Sequence, residues 1–423
     1  MQSVGNFGVA LTFVLVLCLL ASNVESKKKR RRVEIRLNRE TNHTKILNSL
    51  QNQQLVIESK LELTSSSEGT SSAGTESLIN SYNTEFYGDI QIGCQSFKIL
   101  FDTASANLWV PSSKCEEAVC RQHNQYNSSE CSSYIANGTS FQIQYATRVT
   151  EDVILKGFLS TDTLKIAGLT VKDQTFAEIV TLPESVFNRS HFDGILGLGL
   201  EQIAIAGVAP PFYNMIAQGL VDQPIVSLSL TRNASDPSNG GKVLLGGSDP
   251  TLYSGCLTYV PLSVVGYWQI TVGSFSLGCS KVICSKFEAI IDAGTSLIVV
   301  PACALKKINK ILGIKSSDKR DGVYTINCNK ITSLPDITIN IGRRDFTLKP
   351  SDYILNYSGT CVSGFTSLAG GAQDINIGSE DNCCSPWVLG DIFLSTFYIQ
   401  LDYEYKRIAI GSRVTNYSTS SCS

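Results

Sequence analysis

The chain has 423 residues and a formal net charge of −2 at pH 7, and 43% of its residues are hydrophobic against 17% that are charged. This composition is typical of a folded protein and disfavours a general nucleic-acid-binding protein, and the length favours two or more lobes. The three histidines, His43, His123 and His191, lie far apart in the sequence. A histidine-rich metal site is therefore disfavoured, and we expect neither a metal nor a cofactor.

The amino-terminal segment has the pattern of a signal peptide. Residues 9–21 form one apolar run, which is shorter than the ~20 residues needed to span a bilayer and suits a signal-peptide core. Two small residues, Val24 and Ser26, fit a cleavage position directly after Ser26. We predict a signal peptide over residues 1–26 and no membrane span. The alternative for the apolar run is a buried helix.

A basic leader follows this segment. It begins with KKKRRR at residues 27–32, and it ends in a Ser/Gly/Thr-rich stretch at residues 61–76 that is typical of a linker. The chain from residue 77 onward carries a net negative charge. A basic leader joined to an acidic body predicts a propeptide and linker over residues 27–76, held on the body electrostatically. The alternative is a solvated tail.

Cysteines and glycosylation sequons favour the secretory route. The 14 cysteines include close pairs but lack the CxxC or CxxH spacing of a zinc site, so they favour disulfides. One sequon of the form N-x-[ST] lies in the leader, at Asn42. The others predict glycosylation at Asn127, Asn137, Asn188, Asn233, Asn356 and Asn416. We therefore predict a secreted or lysosomal protein.

From residue 80 onward the sequence is typical of an all-β protein. Short runs of alternating polarity are separated by Gly, Pro, Asn and Asp. Helical patterns are confined to residues 210–220 and 301–312, both of which begin with proline, a residue that is tolerated at a helix start. Clear examples of strand patterns are residues 140–146, 225–230, 336–341 and 397–403.

An internal repeat divides this β-rich body. Residues 98–111 align with residues 288–301, and in both copies an aspartate follows mostly bulky apolar residues and precedes a proline at the same distance. The two aspartates are Asp102 and Asp292. A second matched segment lies downstream of each copy, FDGILGLG after the first and PWVLGDIF after the second. The chain is therefore interpreted as a duplication in which each half supplies one aspartate.

The duplication predicts two pseudo-symmetric lobes, residues 77–255 and 256–423, with a site where they meet. A single aspartate on a turn behind a buried strand is structurally ordinary. Two such aspartates at a lobe interface cannot both ionise cheaply, so one of them keeps a proton. The pair can then act as base and acid together, since one carboxyl accepts a proton from water while the other donates one to a carbonyl.

These segments resemble the pepsin-like aspartic endopeptidases, in particular the cathepsin D branch. The resemblance covers residues 77–423, and its most specific segments are FDTASANLWVPS (101–112), GYWQI (266–270), AIIDAGTSL (289–297) and WVLGDIFL (387–394). It implies a monomeric, bilobal all-β protein with the active-site cleft between the lobes. It also implies hydrolysis of protein and peptide substrates between bulky apolar residues at acidic pH, and a zymogen whose own propeptide is an intramolecular inhibitor.

The resemblance assigns roles to residues near the two aspartates. Asp102 and Asp292 would hold the nucleophilic water. Ser105 and Thr295 would hydrogen-bond the outer oxygens of these carboxylates. Thr103 would grip the opposite loop across the lobe interface.

The resemblance also implies a flap, apolar subsites and three disulfides. Tyr145 would be the flap tyrosine, with its hydroxyl group near the Trp109 indole. The implied subsite residues, for which ordinary core packing is the alternative, are Leu100, Phe192, Ile195, Tyr267 and Ile290. The implied disulfides are Cys115–Cys120, Cys279–Cys284 and Cys328–Cys361, and the pairing of the remaining cysteines stays open.

Three departures from the family pattern bear on activity. Ala104 stands where the family has glycine, and Ala293 stands where it usually has Thr or Ser. Only Thr103 can then contribute a hydroxyl group to the grip, and a lost buried hydrogen bond costs ~1 kcal/mol. After Tyr145 the flap hinge has lost its glycines and reads Ala-Thr-Arg, which predicts a stiffer or differently shaped flap.

These departures keep a second function class open. A peptide-binding protein with the same cleft but little turnover would tolerate all three departures. A decayed site, however, would be free to lose the aspartates and their hydroxyl neighbours, and both sets are present. A serine or cysteine hydrolase is disfavoured, because the sequence lacks a GxSxG motif and a suitable histidine partner.

Overall fold

The computed structural model describes residues 74–81, 85–145, 153–188, 190–232, 238–282, 286–320, 323–357, 359–367, 383 and 386–414. These residues belong to one compact unit of the chain. Several predictions fall outside them: the signal peptide over residues 1–26, the propeptide up to residue 73, the sequons at Asn42, Asn233 and Asn416, Cys284, and the flap tip at residues 146–152.

Strands dominate the regular secondary structure, as the alternating sequence pattern predicts. The strands before residue 246 are β1 (Gly74–Ser81), β2 (Glu85–Ile92), β3 (Gln95–Asp102), β4 (Leu108–Pro111), β5 (Ile135–Tyr145), β6 (Val153–Ile166), β7 (Leu169–Thr181), β8 (Gly194–Gly197), β9 (Ile225–Leu230) and β10 (Gly241–Leu245). The later strands are β11 (Tyr253–Pro261), β12 (Gln269–Leu277), β13 (Ser280–Lys281), β14 (Phe287–Ile291), β15 (Ile298–Val299), β16 (Lys319–Arg320), β17 (Val323–Ile326), β18 (Ile337–Ile341), β19 (Arg344–Leu348), β20 (Ile354–Tyr357), β21 (Thr360–Ser363), β22 (Phe365–Thr366), β23 (Trp387–Leu389), β24 (Phe397–Asp402) and β25 (Arg407–Arg413).

The α-helices in the described part of the chain are few and short. They are α1 (Glu184–Phe187), α2 (Pro211–Ala217), α3 (Ala302–Leu312), α4 (Pro350–Tyr353) and α5 (Asp391–Leu394). Both predicted helices form, α2 within residues 210–220 and α3 within 301–312. Helix α3 buries Ala304, Leu305, Ile308 and Leu312, which lie on one face at helical spacing. It ends at Gly313, whose φ of 68° is a left-handed conformation that glycine adopts without strain.

Three sheets contain the strands. The largest has 13 strands in the order β11-β25-β24-β9-β10-β1-β2-β3-β8-β4-β7-β6-β5. The second has the order β19-β18-β12-β14-β23-β15-β22, with β13 paired to β12, and the third has the order β16-β17-β21-β20. The predicted all-β fold is confirmed. The predicted lobe boundary at residues 255 and 256 falls inside β11, and β1 begins at Gly74, so the limits of the lobes stay a prediction.

The same four-strand arrangement occurs twice, as the sequence repeat predicts. In the first half, β3 is parallel to β8, β8 is antiparallel to β4, and β4 is parallel to β7. In the second half, β14 is parallel to β23, β23 is antiparallel to β15, and β15 is parallel to β22. Each predicted aspartate lies at the carboxyl end of the first strand of its set. The duplication therefore places the two aspartates in equivalent positions.

The buried apolar side chains form two clusters. The larger one extends through both large sheets and includes Trp268 and Trp387. The smaller one, which we call the first-half cluster, is formed around Trp109, Tyr145 and Phe187 beside the first aspartate loop. In this cluster the Phe187 ring contacts the Trp109 ring edge-on, with centroids 5.5 Å apart. The cluster thus packs next to the predicted site rather than in the main core.

Disulfides join distant parts of the strands. The structure contains Cys115–Cys120 and Cys328–Cys361, two of the three implied bridges. It also pairs two sets of cysteines that spacing left open, Cys94–Cys131 and Cys303–Cys383. Cys279 is exposed with a free thiol, contrary to expectation, while its expected partner Cys284 lies outside the described residues. The implied Cys279–Cys284 bridge is therefore wrong for this structure, because the Cys279 sulfur is not bonded to another cysteine.

Candidate active site

Both predicted aspartates lie where a buried strand ends. Asp102 is the last residue of β3 and is in register with Gly197 of β8. Asp292 directly follows β14, whose last residue pairs with Leu389 of β23. The two side chains are 1% and 0% exposed, and a hydrogen bond joins their carboxyl groups. The fold thus brings the two halves of the repeat together at these carboxyls.

Each aspartate is held by an equivalent pair of donors. In both loops the amide of the second residue after the aspartate donates to Oδ1 at 2.8 Å. In both loops the hydroxyl group of the third residue donates to Oδ2 at 2.5 Å. These donors orient the carboxyls without neutralising them. They are Ala104 and Ser105 for Asp102, and Gly294 and Thr295 for Asp292.

The hydroxyl group of Thr103 ties the two loops to each other. Thr103 is fully buried; its Oγ1 donates to the carbonyl of Ile291 at 2.7 Å and accepts from the amide of Ala293 at 3.0 Å. Backbone groups of the opposite loop therefore satisfy the Thr103 hydroxyl, and Ala293 does not leave it unpaired. What alanine removes is the reciprocal hydroxyl group, which would reach from position 293 back to the first loop.

The two carboxyls differ in their affinity for a proton. Burial raises the pKa of Asp102, and the hydrogen bonds from Ser105 and Ala104 oppose that rise. Burial and then the charge of Asp102 raise the pKa of Asp292 well above its usual range, against the hydrogen bond from Thr295. The hydrogen bond between the carboxyls acts in the same sense, since it lowers the pKa of Asp102 and raises that of Asp292. Both carboxyls therefore hold a proton more strongly than an exposed aspartate does, and these causes favour Asp292 over Asp102.

The predicted flap tyrosine is linked to the first aspartate. Tyr145 ends β5, and its hydroxyl group accepts a hydrogen bond from the Trp109 indole nitrogen at 2.7 Å. Tyr145 also hydrogen-bonds Ser105, which in turn holds Asp102. Burial raises the pKa of Tyr145 well above its usual range, so its hydroxyl group stays neutral. Trp109 and Tyr145 thus lie as the resemblance implies.

Four of the five predicted subsite residues share one neighbourhood. Leu100, Phe192 and Ile195 belong to the first-half cluster and are almost fully buried. Tyr267 packs against the same cluster and stays partly exposed. Ile290 lies elsewhere, on the partly exposed face of β14 in register with Gln269 and Val388.

Sequence reasoning missed a third buried carboxyl group, next to the second aspartate loop. Asp391 is 2% exposed, and its amide donates to the carbonyl of Thr295 at 2.7 Å. Burial and then the charge of Asp292 raise the pKa of Asp391 well above its usual range, and Arg232 opposes the rise. Within the described part of the chain, Asp391 Oδ1 and Arg232 Nε have no hydrogen-bond partner. The repeat contained a signal for this group, because the first copy has Leu198 at the matching position.

Four predicted glycosylation sites lie on described surface. Asn137, Asn188 and Asn356 are exposed, and Asn127 is partly exposed. In two of these sequons the hydroxyl group donates to the asparagine Oδ1, from Ser129 to Asn127 at 2.8 Å and from Thr139 to Asn137 at 2.6 Å. These side chains are accessible to modification, and glycosylation itself stays a prediction.

One group of described side chains resembles a set of metal ligands. Cys115, Glu117 and Cys120 place three ligand atoms close together. The two sulfurs are joined in a disulfide, so this group does not suit a metal ion. Among the described helices, none is long and apolar enough to cross a membrane.

Comparison with known proteins gives a consistent result. The family model described as eukaryotic aspartyl protease matches residues 85–413, which contain both aspartate loops. Cathepsin D from Dictyostelium discoideum is 38% identical over 81% of this chain and 87% of its own length. Renin-2 from Mus musculus is 40% identical over 79% of this chain and 81% of its own length. Vacuolar protease A from Neurospora crassa is 38% identical over 79% of this chain and 80% of its own length. The chain therefore belongs to the eukaryotic aspartyl protease family, has its bilobal all-β fold, and is an aspartic-type endopeptidase.

Proposed function

We propose that this protein is an acid-active endopeptidase in which Asp102 and Asp292 together activate one water molecule. The observation that carries the proposal is a pair of buried, hydrogen-bonded carboxyls from the two halves of the chain, each held by an equivalent pair of donors. Burial of carboxyl groups costs free energy. A purely structural role gives no reason to bury two of them side by side.

In the proposed reaction Asp102 is the base and Asp292 is the acid. Water gives a proton to Asp102 as its oxygen attacks the scissile carbonyl carbon, and Asp292 gives its proton to the carbonyl oxygen. The product of this step is a neutral tetrahedral diol. The diol collapses when the amide nitrogen takes the proton from Asp102, the C–N bond breaks, and a hydroxyl proton passes to Asp292. The pair then holds one proton on Asp292, as it did at the start.

We infer that the preferred substrates have bulky apolar residues at the scissile bond. Tyr145, Leu100 and Phe192 belong to one apolar cluster beside the first aspartate loop, and Tyr267 is partly exposed against that cluster. Apolar substrate side chains would gain roughly 25 cal/mol for each Å² that they bury there. Charged residues would lose hydration without gaining a partner in the same place.

We further propose synthesis as a zymogen in the secretory pathway, with delivery to an acidic compartment or to the exterior. The apolar run of residues 9–21, the basic leader, the sequons and the disulfides support this route. The name of the relative called vacuolar protease A is consistent with an acidic destination. The leader would cover the acidic body at neutral pH and leave when carboxylates protonate.

The shared-proton mechanism is tested with Asp102→Asn and Asp292→Asn. Each amide keeps the shape of the side chain but cannot share a proton, so turnover of a denatured protein at pH 3–5 should fall by at least about 10²–10⁴-fold. The control is Asp345→Asn, which changes an exposed aspartate of β19 and should leave turnover unchanged. Near-normal turnover in either dyad variant would contradict the mechanism. Peptide binding without cleavage in the unaltered protein would favour the peptide-binding alternative.

The zymogen proposal is tested by comparing the chain from residue 27 with a chain that begins at residue 74. The longer form should be inactive at pH 7 and should mature below about pH 5, where carboxylates begin to protonate. The shorter form should be either misfolded or constitutively open. A longer form that is fully active at pH 7 would show that the leader does not inhibit.

A further inference from the structure

The two aspartate loops differ at two positions that face each other. The first loop has Thr103 and Ala104, and the second loop has Ala293 and Gly294 at the equivalent positions. A methyl group built on Gly294 would lie 2.7 Å from Oδ1 of Asp102 and 2.9 Å from its Cγ. Real Cβ atoms essentially never lie within 3.0 Å of another atom. The second loop therefore has no room for the methyl group that the first loop carries.

The Ala104 methyl group must then stand against the opposite carboxyl. Ala104 and Gly294 make equivalent amide bonds, both of 2.8 Å, to the Oδ1 of the aspartate in their own loop. Because these bonds orient the two loops alike, a side chain at position 104 points at Asp292 as one at position 294 would point at Asp102. Ala104 is 2% exposed, so its methyl group lies within the packed site and not at its rim. A glycine at position 104 would lack this methyl group and would let the first loop lie closer to Asp292.

Ala293 leaves room for the Ala104 methyl group, because it does not pull the first loop toward the second. A hydroxyl group at position 293 would donate to the carbonyl of Phe101, which is equivalent to the Ile291 carbonyl that Thr103 binds. That bond would draw the first loop, and the Ala104 methyl group with it, toward the second loop. Alanine at position 293 makes no such bond, so position 293 adds nothing to the tie that Thr103 forms between the loops.

We propose that Ala104 is a positioning residue whose methyl group sets the approach of the two carboxyls and shields Asp292 from water, and that Ala293 is its structural match. The part of this proposal that concerns turnover rests on the proposed function, whereas the coupling of the two alanines does not. A methyl group beside Asp292 disfavours the charged form of that carboxyl. It acts in the same direction as the burial that already raises the Asp292 pKa. The other groups that act on this carboxyl are Asp102 and Asp391, with Arg232 beside Asp391.

The coupling is tested by thermal unfolding of Ala104→Gly, Ala293→Thr and the double variant. Ala293→Thr alone should lower the melting temperature by about 2 °C or more, because the new bond forces the methyl group into Asp292. The double variant should regain that loss, because glycine removes the obstacle. If Ala293→Thr does not fold, Ala293→Ser adds the hydroxyl group with one methyl fewer and serves the same comparison. Additive effects of the two changes would overturn the structural match.

The positioning role is tested by the pH profile of kcat/KM. Ala104→Gly should move the high-pH limb to lower pH by about 0.5 unit or more, because Asp292 would lose its proton more readily. A merely structural change would lower the rate equally at every pH and would overturn this role. Gly294→Ala is the matched control; it places a methyl group where none fits and should lower turnover by more than about tenfold. If no form cleaves peptide at any pH, the proposed function fails, while the unfolding comparison still decides the coupling.

Discussion

The two aspartate loops hold their carboxyls in the same way but are not equal partners. The first loop supplies Thr103, which bonds two backbone groups of the second loop, whereas the equivalent residue of the second loop, Ala293, has no hydroxyl group to offer in return. The second loop instead lies next to an additional buried carboxyl, Asp391, where the first half has Leu198. Gene duplication therefore preserved the donors that orient each aspartate, while the tether and the surrounding charges diverged.

This difference shows which features of the site have to be the same in both halves and which have to differ. In the proposed mechanism the four donor bonds are equivalent because both carboxyls need the same orientation toward a shared water molecule. The same mechanism requires their proton affinities to differ, because one carboxyl would act as base and the other as acid. The unequal surroundings of the two loops supply that difference.

Removing the Thr103 hydroxyl group, which ties the two loops, should cause the largest loss of stability. Thr103→Val keeps the shape of the side chain but leaves the Ile291 carbonyl and the Ala293 amide without their partner. Unfolding in denaturant should show a loss of about 2–4 kcal/mol. Thr103→Ser keeps the hydroxyl group and should retain most of the stability. A loss below 0.5 kcal/mol, on the order of a surface substitution, would mean that the one-sided tether is unimportant.

Neutralising the additional carboxyl of the second half should have a smaller, pH-dependent effect. The pKa of Asp391 in the folded protein lies above its value in the unfolded chain, first because of burial and then because of the Asp292 charge. Its ionisation therefore does not oppose folding below about pH 4, but it opposes folding increasingly as the pH rises. Asp391→Asn should be more stable relative to the unaltered protein at pH 7 than at pH 4, by at least about 1 kcal/mol.

Thermal melts of Asp391→Asn at several pH values measure this trend. The exposed Asp345→Asn provides the control, because it removes one carboxyl group from the surface and not from the site. If the difference in melting temperature between Asp391→Asn and the unaltered protein does not change with pH, Arg232 fully compensates the buried carboxyl.

The smallest loss of stability should come from breaking the pair of His191 and Glu85. This pair has no counterpart in the second half, since all three histidines of the chain lie before residue 192. The Nδ1 atom of His191 lies 3.1 Å from Oε2 of Glu85, and this hydrogen bond raises the pKa of His191. The stabilisation is thus fully present below about pH 6.5, the usual histidine value, and is lost as the pH rises through the raised pKa. His191 is 45% exposed, so His191→Gln should cost less than about 1 kcal/mol near pH 6.

The pH dependence of that cost is the decisive measurement for His191. The difference in unfolding free energy between His191→Gln and the unaltered protein should shrink toward pH 8.5. Glu85→Gln should reproduce the same loss near pH 6, because it removes the other partner of the pair. A cost that stays constant from pH 6 to 8.5 would mean that His191 contributes by packing and not by charge.

Much of the site could be predicted because the chemistry depends on local spacing. The positions of Ser105 and Thr295, three residues after their aspartates, determine the outer hydrogen bonds of both loops. The family resemblance implied that Thr103 grips the opposite loop, but its exact partners, the Ile291 carbonyl and the Ala293 amide, depend on how closely the backbone of one loop approaches the other. Asp391 was missed because an aspartate after glycine is usually an exposed turn residue, and only packing against Thr295 buries it.

The fold shows the same division between local and distant determinants. Alternating polarity predicted the strands and proline predicted the starts of two helices, since these signals are contained within each element. The pairings Cys94–Cys131 and Cys303–Cys383 could not be predicted, because cysteine spacing alone is compatible with many combinations.

The strand order of the largest sheet has a consequence for biosynthesis. Strand β9 pairs on one side with β24, and β24 and β25 are the last two strands among the described residues. A nascent chain therefore emerges from the ribosome with β9 exposed as an open edge until the final strands are made. Every product that terminates before Phe397 keeps that edge, which can pair with other chains. Premature termination should therefore yield aggregates rather than a soluble first half, and carboxyl-terminal truncation is a poor way to isolate that half.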